Sequence, residues 1–200
     1  EGSANASLGN LLVNLDKQNI PVHVTPIVRT MIEAMGAALP FPGKMIFRLI
    51  LNPRFTDMIL KLLGEKGKTI HPLLHNTVNV LRIEGGQTNT LQLPNKIDVH
   101  VKPNILPGYG TDDVIDELKK HLLTEADFEV SRFDPVPEKP DMSLFGMLAQ
   151  ILKEEDPAGV SMPLLLPTAT DGRNFAKLGK QTYGFLPMNL PPDFMFSQYT

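Results

Sequence analysis

HNTVNVLRIEGG, residues 75–86, and KIDVHVKPNI, residues 96–105, decide the fold class of this chain. The first is rich in β-branched residues and ends on Gly85-Gly86, while the second sets Ile97, Val99 and Val101 against polar neighbours. Side chains of a strand alternate between two faces, so these patterns predict two strands, the second of them half-buried. LPGYGTDDVIDELKKHLL (106–123) then supplies a turn and a helix, with Thr111 as the predicted N-cap, Asp112 and Asp113 in the first turn and cations near the end. DFEVSRFDP (127–135) reads as a further strand.

Upstream of the strands the pattern is helical. Leu8, Leu11, Leu12 and Leu15 fall at helical spacing and predict a helix from Leu8 to Lys17 that stops near Ile20-Pro21. In VTPIVRTMIEAMGAAL (24–39), Thr25 is an N-cap candidate, Pro26 occupies the first helical position and apolar residues run on to Leu39. The stretch 40–67 reads as short helices broken at Pro53 and closed by Gly64. Helices followed by strand, strand, helix, strand suggest an α+β two-layer unit with antiparallel pairing, for which a ferredoxin-like sandwich is the simplest candidate. The opening EGSANAS (1–7) is small and polar, and is expected to be a tag or junction outside the fold.

DPVPEKPD (134–141) carries three prolines in eight residues and marks a boundary near residue 131. Beyond it, MSLFGMLAQILKEED (142–156) predicts an amphipathic helix, GVSMPLLL (159–166) a buried strand, DGRNFAKLG (171–179) a short helix and QTYGFLPM (181–188) another strand. Two strands in an α/β rhythm cannot bury both faces alone, so residues 131–200 read as part of a larger sheet.

Composition narrows the function classes. The chain has 200 residues, 42% of them hydrophobic, a net charge of −3 and no polybasic run, which is no footprint for nucleic acid. The stretch MIFRLILNPRF (45–55) is interrupted by Arg48, and no apolar run approaches the ~18 residues of a bilayer span, so neither a nucleic acid nor a membrane is expected as partner. The absence of cysteine removes disulfides and thiolate metal sites and fits a reducing compartment, with the cytoplasm expected.

Few residues point to chemistry. His71 and His75 lie four apart, a spacing that sets two imidazoles on one helix face for a metal, although Pro72 and the lack of an adjacent Glu weaken that reading. Glu154-Glu155 and Asp112-Asp113 sit in charged helix termini and read as solvated faces. Asp171 and Arg173 follow a predicted buried strand and open a predicted helix, where ligands of open α/β sheets bind. An ordinary N-cap with a salt bridge explains the same two residues equally well, and the alternatives stand level.

The blocks IPVHVTPIVR (20–29), LLHNTVNVLRIEGG (73–86), LPNKIDVHVKPNILPG (93–108), FDPVPEKPDMSLFGMLAQIL (133–152) and the stretch 163–197 containing TDGR occur in this order. Together they resemble the zinc aminoacylase and carboxypeptidase family that includes acetylornithine deacetylase and succinyl-diaminopimelate desuccinylase. The resemblance runs from Leu8 to Thr200. It implies an α/β catalytic domain with two zinc ions, interrupted by a ferredoxin-like lid through which subunits dimerise. Residues 8–130 would be the lid and 131–200 a returning part of the catalytic domain.

The activity implied is hydrolysis of an amide bond in a peptide or N-acyl amino acid, with Thr170, Asp171, Gly172 and Arg173 matching a segment that shapes the substrate site. The family's zinc ligands are a His-x-Asp, a bridging Asp, a Glu-Glu pair and a further acid before the lid, and a His after TDGR. This sequence lacks the earlier motifs, so the isolated chain is expected to hold no zinc and to be inactive. In the lid, Leu91 stands where the resemblance places a substrate-binding Asn and Asn104 where it places a carboxylate-binding Arg. Asn89 is the residue expected to substitute, through a two-residue bulge. The other reading is a non-catalytic dimerisation module.

Overall fold

The computed structural model describes residues 4–16, 20–85, 96–122, 126–131, 139, 141–166, 170–180 and 182–185. Its fold is α+β: a helical block, an antiparallel hairpin with one following helix, and two further helices. Helix α1 spans Ala4–Asp16, beginning four residues before Leu8, so the small residues from Ala4 to Ser7 are helical.

Four helices build the larger core. α2 (Pro26–Ala37) starts as expected, with Pro26 in its first turn and Thr25 at the N-cap position, although the Thr25 side chain makes no capping hydrogen bond. α3 (Gly43–Ile50) and α4 (Pro53–Leu62) meet at Asn52, whose side chain accepts from the Arg54 N–H at 3.1 Å while Pro53 supplies the fixed φ of a first helical residue. The buried Thr56 hydroxyl reaches the Ile50 carbonyl at 2.7 Å, so an α4 side chain satisfies the end of α3. Gly64, at φ +58°, turns the chain into α5 (Glu65–Leu74). Val28, Met31 and Ile32 of α2, Ile50 of α3, Ile59 and Leu60 of α4 and Leu73 and Leu74 of α5 form one buried cluster, on which the half-buried Leu165 also packs.

Strands β1 (Thr77–Gly85) and β2 (Ile97–Asn104) pair antiparallel as predicted. The pairing contains a bulge that the pattern did not reveal. Val80 faces Val101 and Arg82 faces His100, so Leu81 has no partner. Unbroken alternation from Val78 and Val80 would place Arg82 among the apolar side chains. The inserted Leu81 shifts the remainder by one, so Val78, Val80 and Ile83 share a face with Ile97, Val99 and Val101. Thr77, Asn79, Arg82 and Glu84 share the other with Asp98, His100, Lys102 and Asn104.

Helix α6 (Thr111–Leu122) buries Val114 and Leu118 against Leu11, Leu15, Val78 and Ile105, tying α1 and the hairpin together. Thr111 is its first residue rather than its cap. Asp113, the third residue of the helix, accepts from the Gly110 N–H at 2.7 Å, the back-reaching half of a capping box.

α7 (Phe145–Glu155) and α8 (Gly172–Ala176) match two predicted helices. Of the strands predicted at 127–135, 159–166 and 181–188, the described parts 127–131, 159–166 and 182–185 pair with no other described strand, and residues 132–135, 181 and 186–188 lie outside the described residues. A strand needs a neighbour for its N–H and C=O groups, and among the described residues these segments have none. The described sheet therefore has two strands, where a ferredoxin-like sandwich has four.

Candidate functional site

Thr170, Asp171, Gly172 and Arg173 fall together, as predicted, at the start of α8. The Thr170 carbonyl accepts from the Arg173 N–H at 3.2 Å and the Asp171 carbonyl from the Asn174 N–H at 2.9 Å, closing the first turn. Asp171 holds the N-cap position with φ −63° and ψ −17°, which is helical backbone, and its side chain makes no capping bond. A side-chain cap needs extended backbone at that residue, so Asp171 does not cap α8 as expected. Among the described residues neither Asp171 nor Arg173 enters an ion pair, and both side chains are exposed. A Cβ at Gly172 would lie 2.6 Å from the Thr182 hydroxyl and 3.1 Å from that of Thr170, so a larger residue here would require those side chains to turn away.

Asn104 ends β2 opposite Thr77, and its amide donates to the Thr77 hydroxyl at 3.2 Å. Asn89 and Leu91 lie outside the described residues. Among the described residues, no hydrogen bond or ion pair joins Asn104 to the segment from Thr170 to Arg173.

The most developed polar chemistry lies elsewhere, at the junction of the helical block with the hairpin. His23 Nε2 is 2.6 Å from Glu117 Oε1, and the Asn76 amide donates to both Glu117 oxygens at 3.3 and 3.1 Å. Asn76 is fully buried, and its own oxygen accepts from the Leu106 N–H at 2.9 Å. The His23 ring lies 4.3 Å from that of Tyr109. One residue back, Val22 bridges to His75, and the His23 N–H donates to the Leu74 carbonyl at 2.7 Å. Glu117 was legible only as a charge between the apolar positions Val114 and Leu118 of α6; its partners come from segments far away in sequence.

His75 is buried, and both of its ring nitrogens face oxygen acceptors, Nδ1 the His71 carbonyl at 3.1 Å and Nε2 Asp57 at 3.0 Å. The His71 ring stacks on it at 4.0 Å with 4° between the planes. Burial, and next the neighbouring His75, hold His71 well below its ordinary value of 6.5, at about 4, against the opposite pull of Asp57. His71 also lines a small recess with Leu15, Ile20, Asn76 and Val78. The four-residue spacing thus stacks two imidazoles face to face instead of converging their lone pairs on an ion, and the nitrogens of His75 are already engaged. Among the described residues no group of three or more His, Cys, Asp or Glu side chains is arranged to hold a metal ion. They do not fit the two zinc ions that the family resemblance implies.

Among curated proteins, the chain is similar to "Probable carboxypeptidase S-like 2" of Dictyostelium discoideum, at 22% identity over 167 residues. That match takes in 81% of this chain and 31% of the relative, so the chain spans about a third of the length of the curated relative it matches. No protein-family model and no solved structure matches.

Proposed function

We propose that this chain supplies the dimerisation lid and part of the catalytic domain of a zinc-dependent amidohydrolase or peptidase that cleaves an amide bond in a peptide or N-acyl amino acid. The similarity to the carboxypeptidase S-like protein, extending over 81% of the chain, carries this reading. Any zinc ions of such an enzyme need ligands beyond the described residues, and the chain alone is inactive.

Two features support the reading. α7 and α8 bury no residue, while Leu144, Met147, Ile151, Phe175 and Leu178 are exposed on or beside them. Amphipathic helices ordinarily lay such residues on a sheet, and here the rest of the catalytic domain would provide it. The two-stranded sheet also leaves both outer edges unpaired among the described residues and exposes Leu81, Ile83 and Val101. A hairpin of this kind is marginal alone, and pairing with a second copy would extend it. In this reading Asp171 and Arg173 form one edge of the substrate crevice, with the exposed Arg173 guanidinium available to a substrate carboxylate. Asn104 and Asn89 contribute polar contacts from the lid. The open sheet edges also favour a second reading, a dimerisation module without catalysis.

The test combines light scattering of the purified chain with its zinc content and its hydrolysis of N-acyl amino acids, alone and after co-expression with a catalytic half carrying the family's ligands. A dimer that gains turnover only with that half is the expected result. A dimer that never gains turnover selects the second reading. Two zinc ions bound with turnover by the chain alone overturns the partial-site assignment, and a strict monomer at high concentration overturns both readings.

A further inference from the structure

The outward face of α4 carries apolar side chains that nothing in the helical block covers. Phe55, Met58 and Leu62 are 40%, 62% and 80% exposed. At 3.6 residues per turn they share an arc of about 60°, and Arg54 and Lys61 occupy the arc beside it. Thr56, Ile59 and Leu60 fill the buried side, so the exposed stripe is not the core face of the helix. Just before α3, Phe41 is 80% exposed between Pro40 and Pro42, and α3 itself exposes Lys44, Met45 and Arg48.

The charge of this region opposes that of the whole chain. Between residues 40 and 68 stand six lysines and arginines and two carboxylates, Asp57 and Glu65, in a chain whose net charge is −3. Both carboxylates already have partners, His75 and Lys68. No ion pair among the described residues involves Lys44, Arg48, Arg54 or Lys61.

Uncovered apolar side chains beside unpaired cations are the composition of a helix that lies in a membrane interface, with apolar tips below the headgroups and cations among the anionic ones. We infer that α3 and α4 dock this chain on an anionic membrane surface. A second copy on this face is disfavoured by charge, because a two-fold contact would set the same cations against one another. The chain does not cross the bilayer by this route: no described helix is long and apolar enough, and the ten residues of α4 cover about 15 Å. The lack of a spanning segment, on which the expectation of no membrane partner rested, does not bear on surface binding.

Flotation of the 200-residue chain with phosphatidylcholine vesicles, with and without phosphatidylserine, tests the inference. The expected result is binding at least about tenfold stronger to the serine-containing vesicles, weakened by added salt. The paired substitutions Met58→Ser with Leu62→Ser, and Arg54→Glu with Lys61→Glu, should each reduce it about tenfold, with the melting temperature in solution unchanged because these side chains are exposed. No binding, equal binding to both vesicle types, or unchanged binding by both variants overturns it. Self-association without vesicles that Met58→Ser with Leu62→Ser abolishes would instead assign the face to a second copy and overturn it too.

Discussion

The carboxylate of Glu117 lies 2.6 Å from Nε2 of His23, a residue 94 positions earlier, and also receives both hydrogen bonds of the Asn76 amide. This contact ties α6 to the start of β1 and to the segment before α2. Three parts of the fold thus meet on one partly buried carboxylate.

Replacing Glu117 with Ala removes the acceptor from two largely buried donors at once. Leaving such groups unsatisfied costs about 2–4 kcal/mol. Urea denaturation should show a loss in that range for Glu117→Ala and a smaller one for Glu117→Gln, which keeps an oxygen. A loss below about 0.5 kcal/mol, the range of ordinary surface substitutions, would mean that the contact is incidental.

His71 makes stability depend on pH. Its folded pKa, about 4, lies below its ordinary 6.5, so as pH falls the unfolded chain takes up the proton first. The stabilisation from neutral His71 is therefore whole above 6.5, declines as pH falls towards about 4, and falls no further below that. Urea midpoints measured across this window should drop more steeply for the native chain than for His71→Gln. Equal slopes would refute the assignment.

Gly67 permits the close approach of α4 and α5. A Cβ at this position would lie 1.9 Å from the Leu60 carbonyl oxygen, backbone that no side-chain rotation can clear. Gly67→Ala should cost about 3 kcal/mol, the upper range for overpacking a core, despite the better helix propensity of alanine. Thermal denaturation followed by circular dichroism checks this, and an unchanged or higher melting temperature would contradict the packing.

Arg173 separates function from stability. Its side chain is exposed and unpaired among the described residues, so Arg173→Ala should change the unfolding free energy by less than about 0.5 kcal/mol. On the proposed function, the same substitution in the complete enzyme should raise KM for substrates with a free carboxylate about tenfold or more, with little effect on carboxylate-free analogues. Equal effects on both substrate types would remove Arg173 from carboxylate binding.

Much of the helical block was legible because its signals are local. Thr25-Pro26, Asn52-Pro53 and Gly64 set backbone angles within one or two residues, and the α2, α4 and α5 boundaries fall beside them. The hairpin was legible for a similar reason, since Ile97, Val99 and Val101 alternate within five residues. The bulge at Leu81 was not, because its only trace is the spacing from Val80 to Ile83, and an inserted residue becomes visible only when the opposite strand is aligned. The strands expected at 127–135, 159–166 and 181–188 required pairing partners that their own residues do not specify.

The candidate site divides in the same way. The sequence by itself determined the α+β class, the hairpin, and the grouping of Thr170, Asp171, Gly172 and Arg173 at the start of a helix, because each depends on residues close together in the chain. Only the tertiary structure decided that Glu117 meets His23 and Asn76, and that His71 stacks on His75 while Asp57 binds the same ring from α4. It also decided which face of α4 is left uncovered. These relationships join residues that neither propensity nor periodicity connects, and packing the apolar faces brings them together.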